Sequence, residues 1–519
     1  MIRLDKNFNF VIVGGGTAGW ITALYLEKYF PETNITVVAS TEIGILGAGE
    51  GTTPHFLNLL DEIGISVVDL IKHADATFKN GIKFTNWNGD DTHYYHPFKD
   101  NDDLDHTLYS DLNYSDIPLM DLELMASNKN LDSIDFSSFA AESNKVRYTA
   151  DSHVYSKQGD PFRFFNSLGL HALHFNANKL ANYLQNVAIL RGIKLIDAIV
   201  KNIDNDENGY IKKINLDKGY GLDTDFVIDC TGFKRLIIGD HFKSPWTSYT
   251  EYLPVNKAIP FFLPIETETI PSYTEATAMK HGWMWKIPVG NRYGCGYVFN
   301  SDCTNEDNAK HEIETYLNKK IDVPRSFNFD AGCFKNQWIK NCVAIGLSSG
   351  FIEPLEATSI WVSIQSLHCL LENISGITQK SETSIKKYNE KLNYINDKIL
   401  EFVHFHYLSK RNDSSFWNNF KNVKHPEFIN ELIDVCKYEI PKKSFFNKNY
   451  VFQHKSYYAV GAGIQFFDQN LAIQEFNSLT QGIRSTYYRN FKSNYLKNLE
   501  INKTNLLDHS SFIELLKKL

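Results

Sequence analysis

The sequence predicts an α/β fold: a nucleotide-binding module with large insertions and a mainly helical C-terminal region. Three observations carry this. The first forty residues read as strand, glycine turn, helix and second strand. Two more apolar strands, Asp225 to Phe233 and Val343 to Gly350, end in glycine-containing turns. From about residue 376 to the end, apolar residues recur mostly at helical spacing.

Taken in order, Phe8 to Val13 is a continuous apolar strand, and Thr17 to Tyr29 carries apolar positions at helical spacing. Ile35 to Ala39 is rich in β-branched residues and reads as a second buried strand. Residues 44–54 hold too much Gly and Thr for regular structure and read as a long functional loop. Two helical patterns run from Phe56 to about Ala76, and the Asn-, Asp- and Ser-rich stretch 88–160 reads as an irregular insertion. Helical spacing returns at 177–191, strands at 193–200 and 224–230, and mixed strands from Pro254 to Tyr297. A strand at 341–346 meets a Gly–Ser turn, and a helix begins near Glu356.

Composition removes several function classes. With 43% apolar and 22% charged residues in 519, the chain can bury a large core. Its 53 Lys and Arg against 61 Asp and Glu give a net charge of −8, which argues against nucleic acid as partner. Seven cysteines without a C-x-x-C pair argue against a disulfide framework or a zinc site. His171/His174 and His404/His406 lack Cys or carboxylate partners at ligand spacing, so structural histidines and no metal are expected. The N-terminus shows no signal-peptide pattern, and no apolar run reaches the ~18 residues of a membrane span. A cytoplasmic protein with no membrane partner is expected.

Gly14, Gly16 and Gly19 form G-x-G-x-x-G between strand and helix, a Rossmann-like fingerprint. The first glycine permits the tight turn, the second lets a pyrophosphate approach the backbone, and the third lets helix pack on strand. Thr17 and Ala18 then open the helix whose free N–H groups face the anion. The acidic residue that holds a ribose diol in NAD sites should fall near position 39, which is Ala39; Ser40 and Glu42 are the nearest polar substitutes. This departure, with the further glycine turns at Thr231–Gly232 and Gly346–Gly350, favours FAD over NAD.

The chain also resembles the flavin-dependent halogenases of the tryptophan halogenase type. GWMWKIP (Gly282 to Pro288) matches that family's W-x-W-x-I-P signature, and GFIEPLEATSI (Gly350 to Ile360) its G-F-x-x-P-L-E-S-T block. GAGEGTTP (Gly47 to Pro54) looks like its flavin strap, which puts Glu50 beside the cofactor. ATFKNGIKFTNW (Ala76 to Trp87) resembles its lysine segment, and YYHPF and FHYLSKRNDSSFW are also similar. The matches are scattered over residues 8–420, and the last hundred residues match poorly.

The resemblance implies an FAD-binding Rossmann-like module of the aromatic hydroxylase and halogenase type over residues 1–370. A mainly helical substrate-side region over 371–519 would follow. It implies FADH2 from a separate flavin reductase, O2 and a halide (chloride, bromide or iodide) making hypohalous acid. The acid travels to a small, electron-rich aromatic of the indole or phenol type. Lys79 and Glu356 match the catalytic pair. The ammonium would present electrophilic halogen, and the carboxylate would polarise the donor or take the ring proton. Lys83 is given a packing or surface role. Thr358 and Ser359 match halide-binding amides, although Ala357 stands where the family usually has Ser. Leu347 and Ile360 match flavin contacts, and Val200 a position near the adenine. His96 and Phe98 match residues that sandwich a ring, and Trp283 and Trp285 would shield the flavin from organic substrate. The C-terminal aromatic segment of the tryptophan enzymes corresponds to Asn447 to Ile464, where free tryptophan as substrate finds little support. The resemblance also allows a homodimer. An aromatic monooxygenase and a non-catalytic flavoprotein remain as alternatives.

Overall fold

The computed structural model describes residues 3–44, 50–98, 119–129, 135–149, 171–447, 451–504 and 506–519. The chain divides into two units, each made of three segments. The first holds Met1–Ala76, Phe175–Tyr249 and Asp330–Asp397; the second holds Thr77–His174, Thr250–Phe329 and Lys398–Leu519.

The first unit is built on a six-stranded sheet in the order 338–339, 342–344, 226–229, 9–13, 34–39, 194–197. Its inner strands are parallel: Phe10 lies opposite Phe226 on one side and Ile35 on the other. Asn9–Val13 is buried from Phe10 onward, the continuous apolar run of a covered parallel strand. The helices Thr17–Tyr29 and Ala177–Leu190 supply the connections. Strands, helices and glycine turns here follow the sequence reading, and the α/β class holds. An antiparallel sheet of Val200–Asn205, Ile211–Leu216 and Gly221–Asp223 was not foreseen. Its alternate residues are exposed Lys, Asn and Asp, so only Ile211, Ile214 and Leu216 signal burial.

The second unit centres on a seven-stranded sheet ordered 327–328, 257–264, 292–299, 282–289, 274–279, 81–85, 93–97. Its core packs Phe261, Met284, Tyr297 and Phe299 against Ile313 of the helix Glu306–Leu317. The stretch 88–160 is not simply irregular: it contains the strands His93–Pro97 and Lys145–Thr149 and the helices Leu119–Ala126 and Phe136–Glu142. His93–Pro97 pairs with Gly81–Thr85, where cross-strand packing overrides a polar composition. Residues 99–118, 130–134 and 150–160 of that stretch lie outside the described residues, as do 161–170 after it. The C-terminal part is helical, including His454–Gly463, Gln469–Ser478 and His509–Lys517, with one short strand at Leu506–Asp508. Among the described residues no helix is long and apolar enough to cross a membrane.

Candidate functional site

In the first unit the three glycine turns come together. Gly14 has φ +119°, and a Cβ there would sit 2.1 Å from the Cys230 carbonyl oxygen; one on Gly19 would sit 2.0 Å from that of Gly14. Both must be glycine for strand, turn and helix to touch. Gly346, at φ +77°, packs on Ala18, and the Ser348 hydroxyl donates to the Asp229 carbonyl. The Asp229 carboxylate, wholly buried, accepts from the backbone N–H groups of Thr231, Ile237 and Ile238 and from the Thr231 hydroxyl. Asp229 therefore holds the second turn in shape.

Gly16 differs from its neighbours: a Cβ on it would meet nothing within 4 Å. It begins the helix Thr17–Tyr29 with no side-chain cap, and the buried Thr17 hydroxyl has no hydrogen-bond partner among the described residues. An open backbone, uncapped N–H groups and an orphaned hydroxyl fit the pyrophosphate of a dinucleotide. Ala39 lies at the edge of this turn, its Cβ 2.6 Å from where one on Gly15 would stand. Ser40 Oγ accepts from the Glu42 N–H, and Asp197, on the next strand, accepts from the N–H and hydroxyl of Thr41. Val200 packs on the core that includes Val11, Val13 and Val38, and Leu347 sits in the Gly346–Ser348 turn. Glu50 follows residues 45–49, which lie outside the described residues, and desolvation pushes its carboxyl up to about 7.

The helix Thr358–Glu372 starts in an unusual way. Ala357 holds φ +55° and ψ +37°, a left-handed conformation strained for a residue with a Cβ, and provides no side-chain cap. Thr358 and Ser359 occupy its first two positions, where backbone N–H groups lack intrahelical acceptors and can serve an anion. Ile360 follows on the first turn, and Glu356 is buried at 4% exposure.

In the second unit Lys79 ends the strand Thr77–Lys79 with no exposed surface, and its Nζ lies 5.1 Å from the centre of the Phe98 ring. Burial removes a solvated surface role for this lysine. Lys83 has the ordinary role: it reaches Glu142 Oε2 at 3.4 Å and lies over Tyr95 and Tyr273. His96 Nε2 meets Ser456 Oγ at 3.0 Å, and its ring is 5.4 Å from that of Phe402, which stacks on Phe452. Trp283 and Trp285 have centroids 6.3 Å apart; the Trp285 ring occupies the space a Cβ on Gly296 would take, and the buried Trp283 indole N–H has no partner among the described residues.

Of the histidine pairs, His174, His404 and His406 are fully buried. His174 sits between the hydroxyls of Thr77 and Thr274, at 3.1 and 2.9 Å, and burial beside Lys79 holds its pKa well below the usual range. His404 bridges the Tyr252 carbonyl and His425, and His406 packs on Phe84 and Phe402. Sequence reasoning missed the threonine partners of His174, Ser456 opposite His96, and His509, which touches the lysine strand. No spacing signals contacts so distant along the chain. Residues 448–450, within Asn447 to Ile464, lie outside the described residues.

The sequence model of the family described as Tryptophan halogenase matches residues 9–474. The chain is 31% identical to the tryptophan 6-halogenase SttH of Streptomyces toxytricini over 83% of this chain and 84% of that one. It superposes on BrvH, a flavin-dependent halogenase from Brevundimonas sp. BAL3, with a TM-score of 0.82 at 26% identity over 98% and 99% of the two chains. It is similar too to a tryptophan halogenase from Shewanella frigidimarina, with a TM-score of 0.85 at 25% identity over 98% of each.

Proposed function

The chain belongs to the tryptophan halogenase family of flavin-dependent halogenases, and from that premise we propose that it halogenates an indole- or phenol-type ring through hypohalous acid handled by Lys79 and Glu356. Bound FAD, reduced by a separate reductase, would supply with O2 the oxidising equivalent, by which halide, O2, FADH2 and a proton would give hypohalous acid, FAD and water. The turn at Gly14, Gly16 and Gly19 with Thr17 and Ala18 would hold the pyrophosphate. Ala39, Ser40, Glu50, Val200, Leu347 and Ile360 would line the rest of the cofactor's site. The amides of Thr358 and Ser359 would hold the halide, for which a helix start without a side-chain cap is suited.

Lys79 then hydrogen-bonds the acid or carries its halogen as a haloamine, and the ring attacks the positive halogen. Glu356 stabilises the cationic ring adduct and accepts the proton that leaves it. His96 and Phe98 would flank the ring, and Trp283 and Trp285 would keep organic substrate from the oxidant. The observation that supports this reading best is the complete burial of Lys79 against the Phe98 ring, since a lysine is seldom so placed without a task. The test is reduced FAD, O2 and an indole with and without bromide, read by mass spectrometry. A brominated product formed only with bromide is expected. A hydroxylated product indifferent to halide would replace this reading with a monooxygenase.

A further inference from the structure

The strand Thr77–Lys79 is fixed residue by residue from distant parts of the second unit. The Thr77 hydroxyl donates to the Pro288 carbonyl at 2.8 Å and also meets His174 Nδ1. Phe78 donates its backbone N–H to His509 Nε2 at 3.0 Å. Asn80, just beyond, donates from its amide side chain to the Lys145 carbonyl and Ser272 Oγ, and from its backbone to the Ser272 carbonyl.

His509 is the unexpected member. It begins the helix His509–Lys517, wholly buried, and lies beyond residue 474, where the match to the family ends. Its Nδ1 is 2.8 Å from the Ile270 carbonyl, which demands a proton there; its Nε2 faces an N–H, which demands a lone pair. Only the neutral ring protonated at Nδ1 satisfies both. The surrounding contacts hold the ring in place. The Ser510 hydroxyl accepts from the Ile270 N–H, His509 donates its own N–H to the Asn144 carbonyl, and Phe512 packs 5.5 Å from the Phe78 ring. Leu506–Asp508 pairs with Lys145–Thr149, the strand whose Lys145 carbonyl anchors Asn80.

We propose that His509 is a positioning residue for halogenation: its Nε2, delivered by the C-terminal helix, fixes the backbone next to Lys79 and so aims the ammonium. Phe78 alternates with Lys79 along the strand, so a shift of the Phe78 peptide rotates the lysine's stem. This rests on the reading of Lys79 given above. The last fourteen residues thereby become part of the working site.

Two amide substitutions separate aim from fold. In His509→Gln the side-chain oxygen reaches the Nε2 position and still accepts from Phe78, whereas His509→Asn reaches only the Nδ1 position and still donates to Ile270. Each holoenzyme is assayed for kcat and KM with an indole and bromide, for hypohalous acid trapped by an added scavenger, and for melting temperature. The expected result is that His509→Gln keeps kcat within about threefold. His509→Asn should lose roughly ten- to hundredfold in kcat, with KM and trapped hypohalous acid unchanged. Equal kcat in the two variants, or a His509→Asn loss matched by lost hypohalous acid, would overturn the proposal. Lys79→Ala is the control. If it turns over normally the lysine reading fails, and if it is dead while His509→Asn is fully active only the His509 proposal fails.

Discussion

The first unit, proposed to be the cofactor-side unit, and the second, which carries Lys79, fix their candidate site residues by opposite means. In the first, backbone does most of it: Gly14 and Gly19 bring main chains into contact, Gly346 packs on Ala18, and the Asp229 carboxylate holds the turn that runs on to Ile238. In the second, side chains do it: Thr77, His174, Thr274, Asn80 and His509 converge on one short strand from positions up to 431 residues apart. A close-packed glycine such as Gly14 or Gly19 leaves no room for a side chain, whereas a side-chain frame depends on the hydrogen bonds that distant residues bring to it. The first scheme is therefore brittle toward added volume, the second toward lost hydrogen bonds.

The sharpest way to test that division is at its ends. Lys79→Ala is expected to lower product formation by about a thousandfold, the size of a lost acid–base or electrophile-carrying group. FAD affinity should remain unchanged, because the glycine turns proposed to hold the cofactor are built within the first unit. Stopped-flow halogenation with equilibrium flavin titration checks both. A parallel loss of flavin binding would erase the distinction between the units.

That contrast also explains what could be read from the sequence. The G-x-G-x-x-G turn, the strand Asn9–Val13 and the helix Thr17–Tyr29 were legible because spacing of 14, 16 and 19 states the geometry directly. Lys79 was legible through resemblance and through its apolar neighbours Phe78, Ile82 and Phe84. His509 was not legible at all: its role depends on an acceptor atom meeting an N–H from the start of the chain's second unit. The three-stranded sheet of Val200–Asp223 escaped for a milder reason, its exposed faces being polar.

Within the glycine turns, volume should divide two residues that look alike. Gly19→Ala puts a methyl 2.0 Å from the Gly14 carbonyl oxygen, and a loss of about 3 kcal/mol or more in unfolding free energy is expected. Gly16→Val has open space around it. It should leave the melting temperature of the flavin-free protein unchanged and weaken FAD binding instead. Denaturant melts and flavin titrations of the two proteins decide the matter; equal effects would mean that Gly16 is merely structural.

The side-chain frame should fail with acid. Burial lowers the pKa of His509 from 6.5 to about 4 and that of His404 to about 3, and holds His174 well below its usual value. Such groups bind a proton in the unfolded chain before they do so in the folded one. Their stability contribution is thus complete above pH 6.5 and is lost as pH falls through the folded values. For His509 alone the loss between pH 6.5 and 4 is on the order of 3 kcal/mol. Urea melts at half-unit steps should show stability falling through that window, and His509→Gln should flatten part of the slope. An unchanged slope would mean that His509 titrates freely.

The smallest expected effect returns to backbone. Ala357 holds a left-handed conformation that strains any residue with a Cβ. Ala357→Gly should relieve that strain, but glycine also gains freedom in the unfolded chain, so the net gain is about 1 kcal/mol or less. The N–H groups of Thr358 and Ser359 survive this change, so bromide dependence should stay as it is. Proline at 357 cannot reach φ +55°, and it should remove halide use by redirecting those same groups. Saturation curves in bromide for the two variants measure this. If Ala357→Gly shifted the curve as far as Ala357→Pro does, the alanine methyl rather than the direction of the main chain would be what the anion senses, and the cofactor-side unit would no longer be a site made of backbone.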